Sequence, residues 1–518
     1  MPDVTPILPP RRSLALWAWL LLGMVVCSYL FIIFLAGACI YLPFQLVSHT
    51  EDGMGFQILV LIVCGFLMGG TLLWSLVPRR DKFKPPGPLL DRASHPRLFA
   101  ELDAIAAALN EPVPSEVYLT HEVNAWVTDR GGVLGWSSRR VMGLGLPLMA
   151  ILTISEFRAV LAHEFAHYYG GDTRLGPWLY KTRMAMVRTM QNMASIGRYM
   201  RWLFAQIAYQ VVMWVLKEYW ELFFRCTQMI SRRQEYRADE LACYIGGPQA
   251  LSEGLKKINS AGASYSSFWM SEVLPMLNSG YRVPIGQGFS QFVSAPVVAK
   301  NIEQYLNKVL QEEKVEPYDS HPPLRDRLAA AQALPMHSVA QDNSLASSLL
   351  DNLVKEEFRL LEVVTPSLME KLNFIPWEGV ADVLIINWRN AVKKHALLLG
   401  NITAESLPEA LGRAEQLGAK LPDPPGKLLT PLQRTNRAVE LLVVAMSLAV
   451  IEAGGMLQVK PGESYFLLGG EKLSVGAMVG QLTKKKMTVE AWRERCASLN
   501  LPKCRLVDLV QTELNQPI

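Results

Sequence analysis

The apolar pattern is strongest at the start of the chain. From Arg12 to Glu51 no Asp, Glu, Lys or Arg intervenes. The run Leu14 to Leu42 is long enough, at about 1.5 Å per helical residue, to exceed a hydrocarbon core of roughly 30 Å. Pro43 is read as its stop. After the polar loop Ser48–Gly53, a second apolar run extends from Phe56 to Val77. The two predict a transmembrane helical hairpin within residues 1–80, with spans at about 14–42 and 56–77. A third uncharged stretch, Trp202 to Leu216, is short for a span, and Lys217, Glu218 and Glu221 interrupt it. It reads as a helix that either lies against the bilayer or belongs to the folded domain.

Beyond the hairpin the periodicities are those of a folded domain. Residues 81–98 are basic and proline-rich and form a linker. Phe99 to Leu109 is apolar at helical spacing. Short β-prone runs at Glu116–Leu119, Ala125–Thr128, Val133–Trp136 and Arg140–Leu144 predict a small antiparallel sheet. Ser155 to Tyr169 reads as a helix capped by Ser155. Asn259 to Ser320 is rich in Gly, Ser and Pro and is read as containing a loop over a cleft. Residues 345–416 have helical periodicity, and Leu441 to Ile451 is too short between Glu440 and Glu452 to span, so it is read as a buried helix. The fold class is therefore a membrane-anchored α+β protein. Its parts are the hairpin, a mainly helical domain with a small antiparallel sheet at 99–335, and a mainly helical region of unassigned role at 336–518.

Composition supports a membrane protein and narrows its partners. Half of the 518 residues are hydrophobic and 19% are charged. The net charge of +4 gives no case for nucleic-acid binding. Arg11 and Arg12 precede the hairpin, Arg79, Arg80, Lys82 and Lys84 follow it, and the intervening loop carries only acidic residues and a His. The positive-inside rule then places both flanks, and the domain after them, on the cytoplasmic side of a cell (inner) membrane. The seven Cys form no Cys-x-x-Cys, which argues against a Cys-based metal site.

The chemistry lies in His163-Glu164-Phe165-Ala166-His167, an H-E-x-x-H motif with apolar neighbours. Two His four residues apart on a helix share a face and can reach one metal ion. The adjacent Glu can hold a water that zinc activates and take its proton. A catalytic zinc keeps three protein ligands and one open position. Glu235, in Glu235-Tyr236-Arg237-Ala238-Asp239, is the candidate third ligand. Asp239, one helical turn on, is placed to accept the spare N–H of a ligating His.

HEFAH followed by EYRAD resembles the membrane-bound gluzincin family that includes the HtpX-type quality-control proteases and the type I CAAX prenyl endopeptidases. The likeness takes in Asn124-Ala125-Trp126, Gly143-Leu144-Gly145-Leu146-Pro147 and the H-P-x-x-x-x-R element His321 to Arg327, and covers roughly Phe99 to Leu334. It implies one zinc ion per chain held by His163, His167 and Glu235, with Glu164 as general base and acid. His321 would sit near the cleft as an oxyanion donor, or else serve only as a helix-entry residue. Asp172 would support the site from outside the ligand set, or cap the following helix. The expected activity is zinc-dependent endopeptidase cleavage of membrane-associated peptide or protein substrates, in membrane protein quality control. The alternative is a zinc-containing, non-proteolytic membrane scaffold or chaperone that works through the C-terminal region.

Overall fold

The computed structural model describes residues 12–47, 55–77, 83–131, 138–168, 176–198, 202–313, 321–335, 339–367, 372–424 and 428–510. The expected strand at Val133–Trp136 and Asp172 lie outside them. The chain begins with α1 (Arg12–Val47), α2 (Gly55–Leu76), β1 (Leu89–Leu90), α3 (Pro96–Leu109), β2 (Glu116–Thr120), β3 (Ala125–Arg130) and β4 (Arg139–Gly145). It continues through α4 (Leu146–Ile151), α5 (Ile154–Ala166), α6 (Gly176–Gly197), α7 (Leu203–Gly246), α8 (Pro248–Phe268), α9 (Leu274–Asn278), β5 (Tyr281–Arg282), α10 (Ile285–Ser294) and α11 (Pro296–Glu312). Then come α12 (Leu324–Gln332), α13 (Leu353–Val364), β6 (Asn373–Phe374), α14 (Val380–Lys394), α15 (Ala396–Leu399), α16 (Leu407–Gly412), α17 (Ala414–Lys420) and α18 (Pro431–Glu452). The last elements are β7 (Met456–Lys460), β8 (Glu463–Leu468), β9 (Glu471–Leu473), α19 (Val475–Thr483) and α20 (Val489–Ser498). Two compact units result: Met1–Gly262 with Glu303–Val364, and Ala263–Ile302 with Thr365–Ile518.

In the first unit, α1 and α2 are long and apolar enough to cross a membrane, over Leu22–Gln45 and Phe56–Leu76. Pro43 does not stop α1, which runs on to Val47. A proline frees the carbonyl four residues back, here that of Cys39. Gly65 of α2 faces that carbonyl so closely that a Cβ would lie 2.3 Å from Cys39 O and 3.1 Å from Pro43 Cγ. Helix packing thus shields the interrupted turn. The Trp202–Leu216 stretch is the first half of α7, a single helix of 44 residues. Ala205, Val212 and Leu216 share a core with Ile32, Ala36, Met68 and Leu72 of the hairpin. Leu203, Ile207, Val211 and Trp214 point outward and are exposed.

The sheet has the order β1-β2-β4-β3. Its outer pairs are antiparallel, but the central pair β2–β4 is parallel, with Glu116 opposite Val141 and Thr120 opposite Gly145. Burial explains this arrangement. Val141 to Gly145 is buried throughout and takes the centre, while β3, mostly half-exposed with Asp129 and Arg130 at its end, takes the edge.

Helix α5 starts at Ile154, and its cap is Thr153 rather than Ser155. The Thr153 hydroxyl accepts from Glu156 N–H at 3.2 Å and Glu156 Oε2 accepts from Thr153 N–H at 2.8 Å, a capping box. Ser155 instead accepts from the Asp342 N–H at 2.7 Å, tying the chain after α12 across the start of the helix.

The described part of Asn259–Ser320, which the second unit holds from Ala263 to Ile302, is mainly helical, with the short strand β5. Pro296 is the first residue of α11, where a missing N–H costs nothing, whereas Pro275 follows a π-helical turn, Trp269–Val273, inside a continuous helical stretch that the turn widens. The expected buried helix at Leu441–Ile451 is the inner part of α18, with Leu442, Ala445, Met446 and Ala449 in the core. The C-terminal region also contains an antiparallel sheet, β7-β8-β9. Gly462, at φ +79°, turns β7 into β8, and Gly469 and Gly470, at φ +57° and +82°, turn β8 into β9.

Candidate metal centre and cleft

Two helices assemble the site. On α5, His163 and His167 face the same way, their rings 4.8 Å apart at 86°. Alongside it, α7 brings Glu235 opposite both. The approach is close because Gly246 meets Ala159: a Cβ at Gly246 would lie 2.5 Å from the Ala159 Cβ. One ligand atom each from His163, His167 and Glu235 lies within 4.8 Å of the others. Glu235 Oε2 is 3.5 Å from His163 Nε2, and Oε1 is 3.5 Å from His167 Nε2. Two imidazole nitrogens and a carboxylate converging on one point are a donor set suited to zinc.

The groups behind this set fix its tautomers. His163 Nδ1 is 2.9 Å from Asp239 Oδ1, so its N–H lies on that side and a ligating, neutral ring would turn Nε2 to the centre. Arg327, buried, grips Asp239 with two hydrogen bonds, Nε to Oδ2 at 2.8 Å and Nη2 to Oδ1 at 2.7 Å. The same Nη2 is 3.7 Å from Glu235 Oε2. His321 Nδ1 lies 2.8 Å from Glu235 Oε2, with its side chain 58% exposed. The sequence pattern contained Arg327 but gave no reason for its role. Its i+3 and i+4 neighbours are unremarkable, and only the fold brings α12 against α7.

Electrostatics follow from this geometry. Burial opposes charge on Glu235, but hydrogen bonds from His163 and His321 hold its carboxyl far below the ordinary range. Burial disfavours the His163 cation, yet Asp239 and Glu235 push its pKa up to about 9. His167, buried next to that charge, falls to about 4 and stays neutral. Glu164 is raised to about 7, first by desolvation, with His163 opposing and Glu235 adding to the rise. A Glu near neutrality can both take and return a proton.

Glu164, His163, His321 and Arg327 line a cavity of 310 Å³. Its apolar wall is Val160, Leu251, Leu255 and Ile258, and Asn124 stands at its rim, at the start of the edge strand β3. The glycines of the β4 segment make this rim possible. A Cβ at Gly143 would strike the Trp126 ring at 2.4 Å, and one at Gly145 would lie 1.9 Å from Glu122 O.

Residues 93–334 match the model of peptidase family M48. The match is the domain carrying α3, the sheet, α5, the Glu235 helix and α12. The chain is similar to "Protease HtpX homolog" of Campylobacter concisus, 28% identical over 32% of this chain and 58% of that protein. It is 24% identical to "Protease HtpX homolog 2" of Methanosarcina mazei, over 58% of this chain and 98% of the other. A third relative, "Protease HtpX" of Acinetobacter baylyi, is 24% identical over 52% of this chain and 91% of its own length.

Proposed function

We propose that the chain is a membrane-tethered zinc endopeptidase in which His163, His167 and Glu235 hold the metal and Glu164 is the general base and acid. The observation that carries this is the convergence of the three ligand atoms within 4.8 Å beside Glu164 in a cleft. Zinc bound there would lower the pKa of a water and polarise the scissile carbonyl. Glu164 takes the proton of the attacking water and returns it to the leaving amine. Asp239 keeps His163 in its ligating tautomer, and Arg327 keeps Asp239 in place. His321, at the cleft and hydrogen-bonded to Glu235, is the candidate donor to the developing oxyanion.

An extended peptide adds to β3, the edge strand of the sheet among the described residues, its main chain pairing beside Asn124. The wall of Val160, Leu251, Leu255 and Ile258 accepts an apolar side chain next to the scissile bond. Substrates are membrane-associated proteins, a reading supported by the two apolar helices, and the basic flanks of the hairpin support a cytoplasmic catalytic face.

The test is hydrolysis of casein and of a fluorogenic peptide by the purified full chain. Glu164→Gln is expected to keep one zinc per chain and lose at least about a hundredfold in rate. Glu235→Ala is expected to lose zinc. Cleavage by Glu164→Gln at the wild-type rate would sink the assignment of the base, and zinc bound by Glu235→Ala as tightly as by wild type would sink that of the ligand.

A further inference from the structure

The cleft holds a carboxylate that neither the metal nor the activation of water uses. Besides Glu164, the carboxylate among the residues lining the 310 Å³ cavity is Glu313. It stands one residue past the end of α11, and its N–H donates to Val309 O at 3.0 Å, so its backbone continues the last turn of that helix. Its side chain reaches across to the next helix. Oε2 accepts the Leu324 N–H at 2.7 Å, the first N–H of α12 and one that a helix leaves without an internal partner. Backbone and side chain are both fastened, so the carboxylate is held at the cavity wall.

The cap on α12 uses one oxygen of the two. Among the described residues, Oε1 has no hydrogen-bond partner, and no Lys or Arg lies within salt-bridge distance of the carboxylate. The strong donors at the same cavity are already committed. Arg327 gives Nε and Nη2 to Asp239 at 2.8 and 2.7 Å, and His321 Nδ1 is 2.8 Å from Glu235 Oε2. A second acceptor lines the cavity: the Asn259 amide donates to Leu255 O at 3.0 Å, which leaves its Oδ1 without a partner among the described residues. A fixed carboxylate in a partly apolar cleft, with no protein cation to answer it, calls for a cationic donor from outside.

The size of the cavity limits where that donor sits. A volume of 310 Å³ is roughly 8 Å across if compact, the length of two to three extended residues. We propose that Glu313 sets substrate specificity by receiving a cationic group of the bound peptide, an ammonium or a guanidinium, within about three residues of the scissile bond. The proposal rests on the peptidase reading above.

The test is peptide binding to the full chain in detergent, zinc-loaded and carrying Glu164→Gln so that nothing is cut, read by fluorescence anisotropy. The probes are a neutral decapeptide blocked at both ends, versions in which one Lys is moved along it, and the parent with a free N-terminus. At least one cationic probe is expected to bind about tenfold more tightly than the blocked parent, with the advantage shrinking as salt rises. Preference for an internal Lys makes the source a side chain, and preference for the free amine makes it the chain end. Adding Glu313→Gln, which keeps an acceptor for the Leu324 N–H, is expected to bring the cationic probe down to the affinity of the blocked parent. In the chain with Glu164 intact the same preference is expected in kcat/KM, mainly through KM. If Glu313 only caps α12, Glu313→Gln keeps the preference or weakens all probes alike, and either result overturns the proposal. So does equal binding, or no binding, of all probes. A Glu313-dependent preference without cleavage of any peptide by the chain with Glu164 intact would instead uphold the cation site and sink the peptidase reading.

Discussion

Replacing Arg327 by Met tests whether the metal site is held together from behind. The wild-type side chain is 6% exposed and gives two hydrogen bonds to Asp239, which is itself 2% exposed. Removing the guanidinium leaves a buried carboxylate with only His163 Nδ1 beside it. Breaking a buried pair in this way costs about 3–5 kcal/mol. The loss should couple to Asp239: in Asp239→Asn with Arg327→Met the carboxylate that Arg327 hydrogen-bonds is gone as well, so the double variant should be less destabilised than the two single costs added, by about 2 kcal/mol or more. Unfolding of the full chain in detergent, with and without a chelator, gives the cycle. Zinc affinity gives a second readout, because a His163 ring without its fixed partner should bind about 10–100-fold more weakly. A cost below about 1 kcal/mol for Arg327→Met, or strictly additive variants, would refute the reasoning.

Three further outcomes follow from local geometry. Thr153→Ala removes the capping box from α5 and should cost about 1 kcal/mol, read from the unfolding midpoint, whereas Ser155→Ala should disturb only the Asp342 tie. Gly246→Ala forces a methyl to within 2.5 Å of the Ala159 Cβ, so it should separate α5 from α7, destabilise by about 1–3 kcal/mol and weaken zinc binding with it; unchanged metal affinity would show that the helix spacing does not set the site. Glu272, half-buried, has its pKa raised by desolvation despite the Gly462 N–H at 3.4 Å. The folded state therefore binds this proton more tightly than the unfolded one, and stability falls as pH rises from the ordinary Glu value towards the folded one. Glu272→Gln should remove that fall, so its melting temperature relative to wild type should rise between pH 5 and pH 7.5, and a constant difference would count against it.

The features legible in the sequence were those with a local cause. The hairpin is legible because its charge-free runs can be accommodated only in lipid or a core, whatever follows. HEFAH is legible because helical spacing alone puts His163 and His167 on one face. The buried run of β4 is also written in its residues, although the edge position of β3 and the parallel pairing of β2 with β4 are not. Pro43 misleads as a stop signal because the groove at Gly65 lies on another helix, and Pro296 misleads as a loop signal because a proline begins helices as readily as it ends them. Ser155 and Thr153 are equally good caps by type, and only the Glu three residues after Thr153 separates them.

By itself, then, the sequence determined the membrane anchor, the pair of histidines with their glutamate, and the candidates for a third ligand, since periodicity and side-chain chemistry act within a few residues. Only the tertiary structure decided that Glu235 meets both histidines, that Arg327 clamps Asp239 behind them, and that the Trp202–Leu216 stretch and the Glu235 segment are one helix seated on the hairpin. Those relations depend on how closely two helices can approach, and that is set by the pairing of Gly246 with Ala159 across 87 positions of chain, far beyond the reach of any local pattern.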